Sequence, residues 1–182
     1  MRRGGFTLVE AVVVLVILAV LAVVMTVSLQ SQSLHKLNAA AERMASDIRY
    51  AQQLAISTGN FTRVATWGPG SNTDDNQYDL FWITVGDPTE NLVSHPLDAT
   101  QAYSVDFDDP GPHQGVTFTP PACIGGPQDD LYFDPNGIPQ CCNLPNHDAC
   151  APMTEPFTIA LTYGGRTRRV AVAPQTGMVG IR

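Results

Sequence analysis

The hydrophobic and polar positions divide the chain into stretches of different period. From Phe6 to Leu29 the pattern is nearly solid, and Ala11 to Met25 carries no polar or charged side chain. About 24 residues at ~1.5 Å each make a helix ~36 Å long, against a hydrocarbon core of ~30 Å, so this stretch predicts a helix that crosses a bilayer with some tilt. Leu37, Ala41, Met44, Ile48, Ala51 and Ala55 then recur at three- and four-residue steps, one stripe of an amphipathic helix, with Lys36, Glu42, Arg43, Asp47 and Gln53 off the stripe. Arg43 and Asp47 are spaced for an i,i+4 contact on the solvent side. No proline precedes Pro69, and Ser57-Thr58-Gly59-Asn60 supplies the stop. One helix from about Phe6 to Ser57 follows, ~78 Å long, whose second half must bury its stripe on a sheet.

Beyond Gly59 the period shortens to two. Thr62 to Trp67, Asp79 to Val85, Ala102 to Phe107, Val116 to Thr119 and Leu131 to Asp134 are β-branched or aromatic segments between clusters of Gly, Pro, Asn and Asp, and each predicts a strand. Gly68 to Gln77 and Pro135 to Pro156 read as surface loops. The last quarter is the most regular. Phe157 to Tyr163 alternates, Gly164-Gly165 turns, Arg168 to Ala173 alternates, Pro174-Gln175-Thr176-Gly177 turns again, and Met178 to Ile181 closes a three-stranded antiparallel meander. In its middle strand Val170 and Val172 share one face, and Arg169, Ala171 and Ala173 the other.

Charge sharpens the two ends. Arg2 and Arg3 precede the apolar run, and by the positive-inside rule they hold the N-terminus in the cytoplasm and place the C-terminal mass outside. The leader has no apolar segment of its own, and no small-x-small cleavage site follows the run, so the helix is retained. Glu10 is the exception inside the run. A carboxylate within a spanning helix costs ~2.5–3.5 kcal/mol or more and calls for a partner, although an acid at a helix start is also favoured by the macrodipole. The net charge of −7 is a poor average for a nucleic-acid binder. No acid follows Glu155, however, and Arg166, Arg168, Arg169 and Arg182 make the C-terminus locally basic.

Cys123, Cys141, Cys142 and Cys150 lie on the exported side, where oxidation favours disulfides. A bridge between the adjacent Cys141 and Cys142 is strained, so each pairs elsewhere, with Cys123 and Cys150, in a connectivity the sequence leaves open. A zinc site from Cys142, His147 and Cys150 is the alternative, but the spacing fits no zinc template. Asp74, Asp75, Asn76 and Asp79, or Asp129, Asp130, Asp134 and Asn136, offer oxygens of the kind calcium takes, yet neither set follows a twelve-residue calcium loop. His35, His95, His113 and His147 are scattered, and no nucleophile elbow, phosphate-binding glycine loop or metal-helix motif is present, so the sequence points to no enzyme, metal or cofactor.

The segment Gly5-Phe6-Thr7-Leu8-Val9-Glu10, behind a short basic leader and ahead of the apolar run, resembles the processing site of type IV prepilins and pseudopilins. The segment Ala40 to Gln52, the piece Phe133-Asp134-Pro135-Asn136-Gly137 and the ending Gly164-Gly165-Arg166-Thr167-Arg168-Arg169-Val170 narrow the resemblance to the GspH/FimT group. It implies an α+β pilin-like fold, a long N-terminal helix packed on an antiparallel β-domain. The implied organisation is a leader over residues 1–5, a transmembrane and filament-core helix over 6–29, its amphipathic continuation over 30–58, and a periplasmic β-domain over 59–182. It further implies cleavage by a prepilin peptidase between Gly5 and Phe6, N-methylation of Phe6, and pairing of Glu10 with a neighbour's free amine to set register in a filament. The implied partners are other pseudopilins or minor pilins, the inner-membrane assembly platform, and lipid around residues 6–29.

Two roles follow from the resemblance. One is a minor pseudopilin of type II secretion, or a minor pilin, at the tip of a periplasmic filament. The other is DNA binding for uptake, since relatives carry a Gly-Arg-x-Arg motif that has its counterpart in Gly165-Arg166-Thr167-Arg168, with Arg169 adjacent. Two guanidinium forks at i and i+2 suit backbone phosphates. Stacking partners beside them are limited to Tyr163.

Overall fold

The computed structural model describes residues 7–66, 76–87, 89–119, 130–142 and 150–182, with the backbone alone for residues 23–32. A single helix, α1, runs over Leu8–Thr58. Thr7 caps it with extended backbone, its hydroxyl accepting from Glu10 N–H at 3.3 Å, which satisfies one of the orphan donors of the first turn. At the other end Gly59, at φ 67°, returns its N–H to the Ala55 carbonyl at 3.0 Å.

The strands are β1 Phe61–Ala65, β2 Gln77–Ile83, β3 Glu90–Leu92, β4 Ser94–His95, β5 Asp98–Ala102, β6 Ser104–Asp106, β7 Thr117–Thr119, β8 Leu131–Phe133, β9 Pro139–Cys142, β10 Cys150–Pro152, β11 Phe157–Tyr163, β12 Arg166–Val172 and β13 Val179–Ile181. Among the described residues they form a larger sheet in the order β10-β9-β8-β1-β2-β3, with β6 on the other end of β2, a four-stranded sheet in the order β13-β12-β11-β7, and a β4-β5 hairpin. Every pairing is antiparallel. The final meander is as its alternation predicts, and β7 extends it. Gly164 and Gly165, at φ 57° and 75°, supply the consecutive left-handed residues that a two-residue hairpin turn requires.

Both sheets pack on the second half of α1. Its stripe, Leu37, Ala41, Met44, Ile48, Ala51 and Ala55, is no more than 1% exposed. It meets Val64, Leu80, Leu131 and Phe133 from the larger sheet, and Phe157, Ile159, Leu161, Val170 and Val172 from the smaller. The opposite face of the larger sheet is buried too, around Ile83, Tyr132 and Cys142.

Three expectations need correction. The Arg43–Asp47 contact forms, at 2.9 Å, but Asp47 is buried at 3% exposure rather than on the solvent side, because the phenol hydroxyls of Tyr78 in β2 and of Tyr103 between β5 and β6 reach it. The stretch from Pro135 to Pro156 is not all loop: it holds β9 and β10, paired with each other, with β9 added to β8. The strand expected from Asp79 to Val85 sits two residues earlier, as β2, and the short strands β3, β4 and β5 lay in a stretch where the sequence showed no clear alternation.

Candidate functional site

The N-terminal end of α1 carries the resemblance, and Gly5 and Phe6 lie outside the described residues. Glu10 occupies the first turn, exposed, where Thr7 and Glu10 hold the positions of a capping box and the macrodipole favours an acid. Along this half the large apolar side chains stand clear of the domain, from Leu8 at 81% exposure to Val14 at 44%. Among the described residues no helix is long and apolar enough to cross a membrane.

The second half of α1 is tied to the sheets by polar contacts. Asp47 accepts from the Tyr78 hydroxyl at 2.6 Å, the Tyr103 hydroxyl at 2.7 Å and Arg43 Nε at 2.9 Å. Burial, and then the neighbouring Asp47 carboxylate, push both phenols to higher pKa, so they stay donors. One helical turn on, Gln52 Nε2 donates to the Gly137 carbonyl at 2.8 Å and the Thr176 carbonyl at 2.9 Å, joining two turns to the helix. Within Asp134-Pro135-Asn136-Gly137, Asp134 Oδ1 accepts from the N–H of Asn136 at 2.9 Å and of Ile138 at 2.8 Å. Gly137 sits at φ 77°, which is what makes this turn need glycine, while the Ile56 side chain that a Cβ would meet is exposed and free to move aside.

Among the described residues Arg63 is the largest fully buried side chain, on the face of β1 away from α1. Its Nε donates to Asp130 Oδ2 at 2.8 Å and its Nη1 to Glu90 at 2.6 Å, while the guanidinium lies 5.5 Å from the Phe81 ring centre and 5.9 Å from that of Tyr132. Burial alone would lower the arginine's pKa, but Asp130, Tyr132 and Glu90 outweigh it and hold the charge in place. Sequence reasoning missed this group. The available signal was a lone arginine inside an otherwise strand-like Phe61–Ala65.

Arg166 and Arg168 lie on the same face of β12 as the buried Val170 and Val172, toward α1, and Arg169 lies on the opposite, exposed face. The three arginines therefore do not form one patch. Arg168 Nε donates to Asn38 Oδ1 at 3.2 Å, and Lys36 Nζ stands 5.2 Å from the centre of the Tyr163 ring while donating to the Gln114 carbonyl at 3.2 Å. At the hairpin tip, the Cβ position of Gly164 is 3.5 Å from Ser33 Cβ.

Cys142 and Cys150 form a disulfide across β9 and β10, with Cα atoms 4.1 Å apart. Cys141 is disulfide-bonded as well, and Cys123 lies outside the described residues. The alternative zinc set is thereby corrected, since the bridge consumes both thiolates it needed; His147 lies outside the described residues. Of the acids considered for calcium, Asp130 serves Arg63 and the Thr66 N–H, Asp134 serves its own turn, and Asp79, buried in β2, accepts from Gln77. Among the described residues no three His, Cys, Asp or Glu side chains are grouped to hold a metal. His95 stacks on Tyr103 at 5.2 Å and His113 lies against Phe107 at 5.1 Å, so both are packing residues.

Comparison with known proteins agrees with this arrangement. The family described as Type II transport protein GspH matches residues 40–176, and the prokaryotic N-terminal methylation motif matches residues 1–26. No curated protein matches the chain. Among solved structures it is similar to the minor pseudopilin EpsH from the Type 2 Secretion System of Vibrio cholerae, at 13% identity and a TM-score of 0.53, with 81% of this chain and 96% of that chain covered. At that identity the likeness is one of fold.

Proposed function

The chain belongs to the GspH family of type II transport proteins, and on that premise we propose that it acts as a minor pseudopilin, a structural subunit that helps initiate a periplasmic filament for protein secretion. The observation that carries the reading is the continuity of the two matches on one helix: the methylation motif ends at residue 26 and the family domain begins at residue 40, both within α1. A prepilin peptidase removes residues 1–5, Phe6 becomes the methylated N-terminus, and residues 6–29 hold the subunit in the bacterial inner membrane with residues 59–182 in the periplasm. On assembly the same apolar surface leaves lipid for neighbouring pseudopilins, and Glu10 pairs with a neighbour's Phe6 amine. The role requires no catalytic group and no cofactor.

The test is complementation of a strain lacking the subunit. Gly5→Ala should leave the leader attached, with exported enzymes retained in the periplasm. Glu10→Leu should keep the protein in the membrane but exclude it from filaments. Mass spectrometry that finds Phe6 at the N-terminus of Gly5→Ala at normal yield, or unchanged filament incorporation of Glu10→Leu, would sink the reading. DNA uptake through Arg166, Arg168 and Arg169 is the second reading, and the closely spaced guanidinium forks of β12, of which Arg169 is exposed and the other two half-buried, are what favours it. It draws on two surfaces rather than one, because Arg169 faces away from the other pair.

A further inference from the structure

The arginine hairpin sits at a definite height along α1, and that height suggests a ligand. At its tip Gly164 packs beside Ser33, while Gly165 faces open space. Ser33 lies four residues past Leu29, where the apolar run ends, a rise of about 6 Å along the helix. Headgroup regions occupy roughly 5–8 Å on each side of the hydrocarbon core. With residues 6–29 in the bilayer, the hairpin tip therefore meets the outer headgroup layer, and the rest of the β-domain rises away from it.

The side chains at this level have the chemistry of that layer. Tyr163, half-buried and directly opposite Arg166 in the hairpin, presents an aromatic ring with Lys36 Nζ above it, a pairing typical of membrane interfaces. The Arg166 side chain takes no hydrogen bond or ion pair among the described residues, and Arg168, held by Asn38, stands one strand position pair further up on the same face. Long basic side chains reach such a layer by extending along apolar surface. A guanidinium fork matches phosphate oxygens two at a time.

We propose that Arg166 and Arg168, beside the Tyr163 ring, form a binding site for the phosphate of an anionic phospholipid at the periplasmic face of the membrane that holds the subunit. The site orients an acidic domain, whose net charge would otherwise push it away from an anionic surface, before the subunit enters a filament. The inference rests on the membrane-anchored reading above.

The test uses the full processed chain in detergent, titrated with short-chain phosphatidylglycerol, phosphatidylcholine, inorganic phosphate and a DNA duplex at low and physiological salt. Phosphatidylglycerol should bind in preference to the other three. Each basic side chain near an anionic surface is worth about fivefold in affinity, so Arg166→Gln should lose about fivefold and Arg166→Gln/Arg168→Gln roughly 25-fold. Arg169→Gln, on the opposite face, should bind as the parent does. Because the Arg166 side chain makes no described bond, its single variant reads binding without disturbing the fold. Equal affinity for the choline lipid, or no loss in either variant, overturns the site. Equal competition by inorganic phosphate replaces the lipid with a free anion, and preferential DNA binding moves the hairpin to nucleic acid. Alkaline extraction of membranes separates the two levels of the argument: a chain that washes out overturns the anchored reading itself, whereas one that is retained without lipid preference overturns this site alone.

Discussion

Leu37, Met44 and Ile48, on the second half of α1, are each no more than 1% exposed, whereas Leu8, Leu15 and Leu18, on the first half, are 81%, 65% and 56% exposed. Both halves belong to one unbroken helix. The second half is apolar on one stripe, and its own domain covers that stripe. The first half is apolar all round, and a helix of that kind is covered on every side by something outside its own domain, a bilayer or other helices. The two halves thus differ in what they can do: one holds the fold, and on the proposed role the other is left for the assembly. Substitutions on the second half should read out as domain stability, and substitutions on the first half should not.

The largest loss is expected at Ile48. It is wholly buried against both sheets, and Ile→Ala at such a site removes about 2–5 kcal/mol. Guanidinium unfolding of the full chain in detergent, followed by tryptophan fluorescence, measures it. A loss under about 1 kcal/mol would mean that the stripe is not what joins helix and sheets.

Asp47→Ala should follow, at about 3 kcal/mol, because it strands two buried phenols that each cost ~1–3 kcal/mol without an acceptor. The pH dependence carries a sign that can be checked. Tyr78 and Tyr103 are raised above the ordinary tyrosine value by burial and by Asp47. Their contribution is fully present below about pH 10, where unfolded tyrosine ionises, and is lost as pH rises through the higher folded values. Tyr78→Phe should flatten that alkaline fall. A stability curve equally steep in the variant would place the titration elsewhere.

The Asp47 network also shows where the sequence stopped being legible. The stripe itself was readable from spacing alone, residue for residue, and so was the closing meander, where Gly164-Gly165 sits between two alternating runs. Asp47 lies three positions after Met44 and four before Ala51, on the same side of the helix as both. Its charge suggested solvent. The phenols that make burial tolerable are 31 and 56 residues away in the chain, so nothing local announced them. Arg63 is the same case, its carboxylate partners lying 67 and 27 residues downstream. The β9-β10 hairpin escaped for another reason: Pro139-Gln140-Cys141-Cys142 has no alternation, and the disulfide and pairing to β8 impose the strand. The N-terminal methylation motif was legible because its signal is contiguous and needs no folded partner.

That disulfide gives the next effect down. Closing a loop with a sequence separation of 8 removes unfolded-state entropy worth about 2.5 kcal/mol. Cys142→Ser/Cys150→Ser should lose about that much, and the loss should appear at the sheet margin, with hydrogen exchange faster in β9 and β10 than in α1. If exchange rises equally along the second half of α1, the helix leans on this hairpin more than the packing of its stripe indicates.

The smallest expected effect bears most directly on the contrast between the halves. Leu15 is 65% exposed on the first half of α1, so Leu15→Ala removes side-chain surface that the domain never covered. Surface substitutions of this kind stay within about 0.5 kcal/mol, and the unfolding transition in detergent should not move. On the proposed role the same side chain packs against lipid and then against neighbouring helices, where shape fixes how closely subunits approach, so filament incorporation should fall while the isolated chain unfolds as before. Ile48→Ala, measured alongside, should show the converse order, a weakened domain from the start. If Leu15→Ala instead costs the domain 2 kcal/mol or more, the first half folds back on its own chain, and its apolar surface belongs to the domain rather than to the assembly.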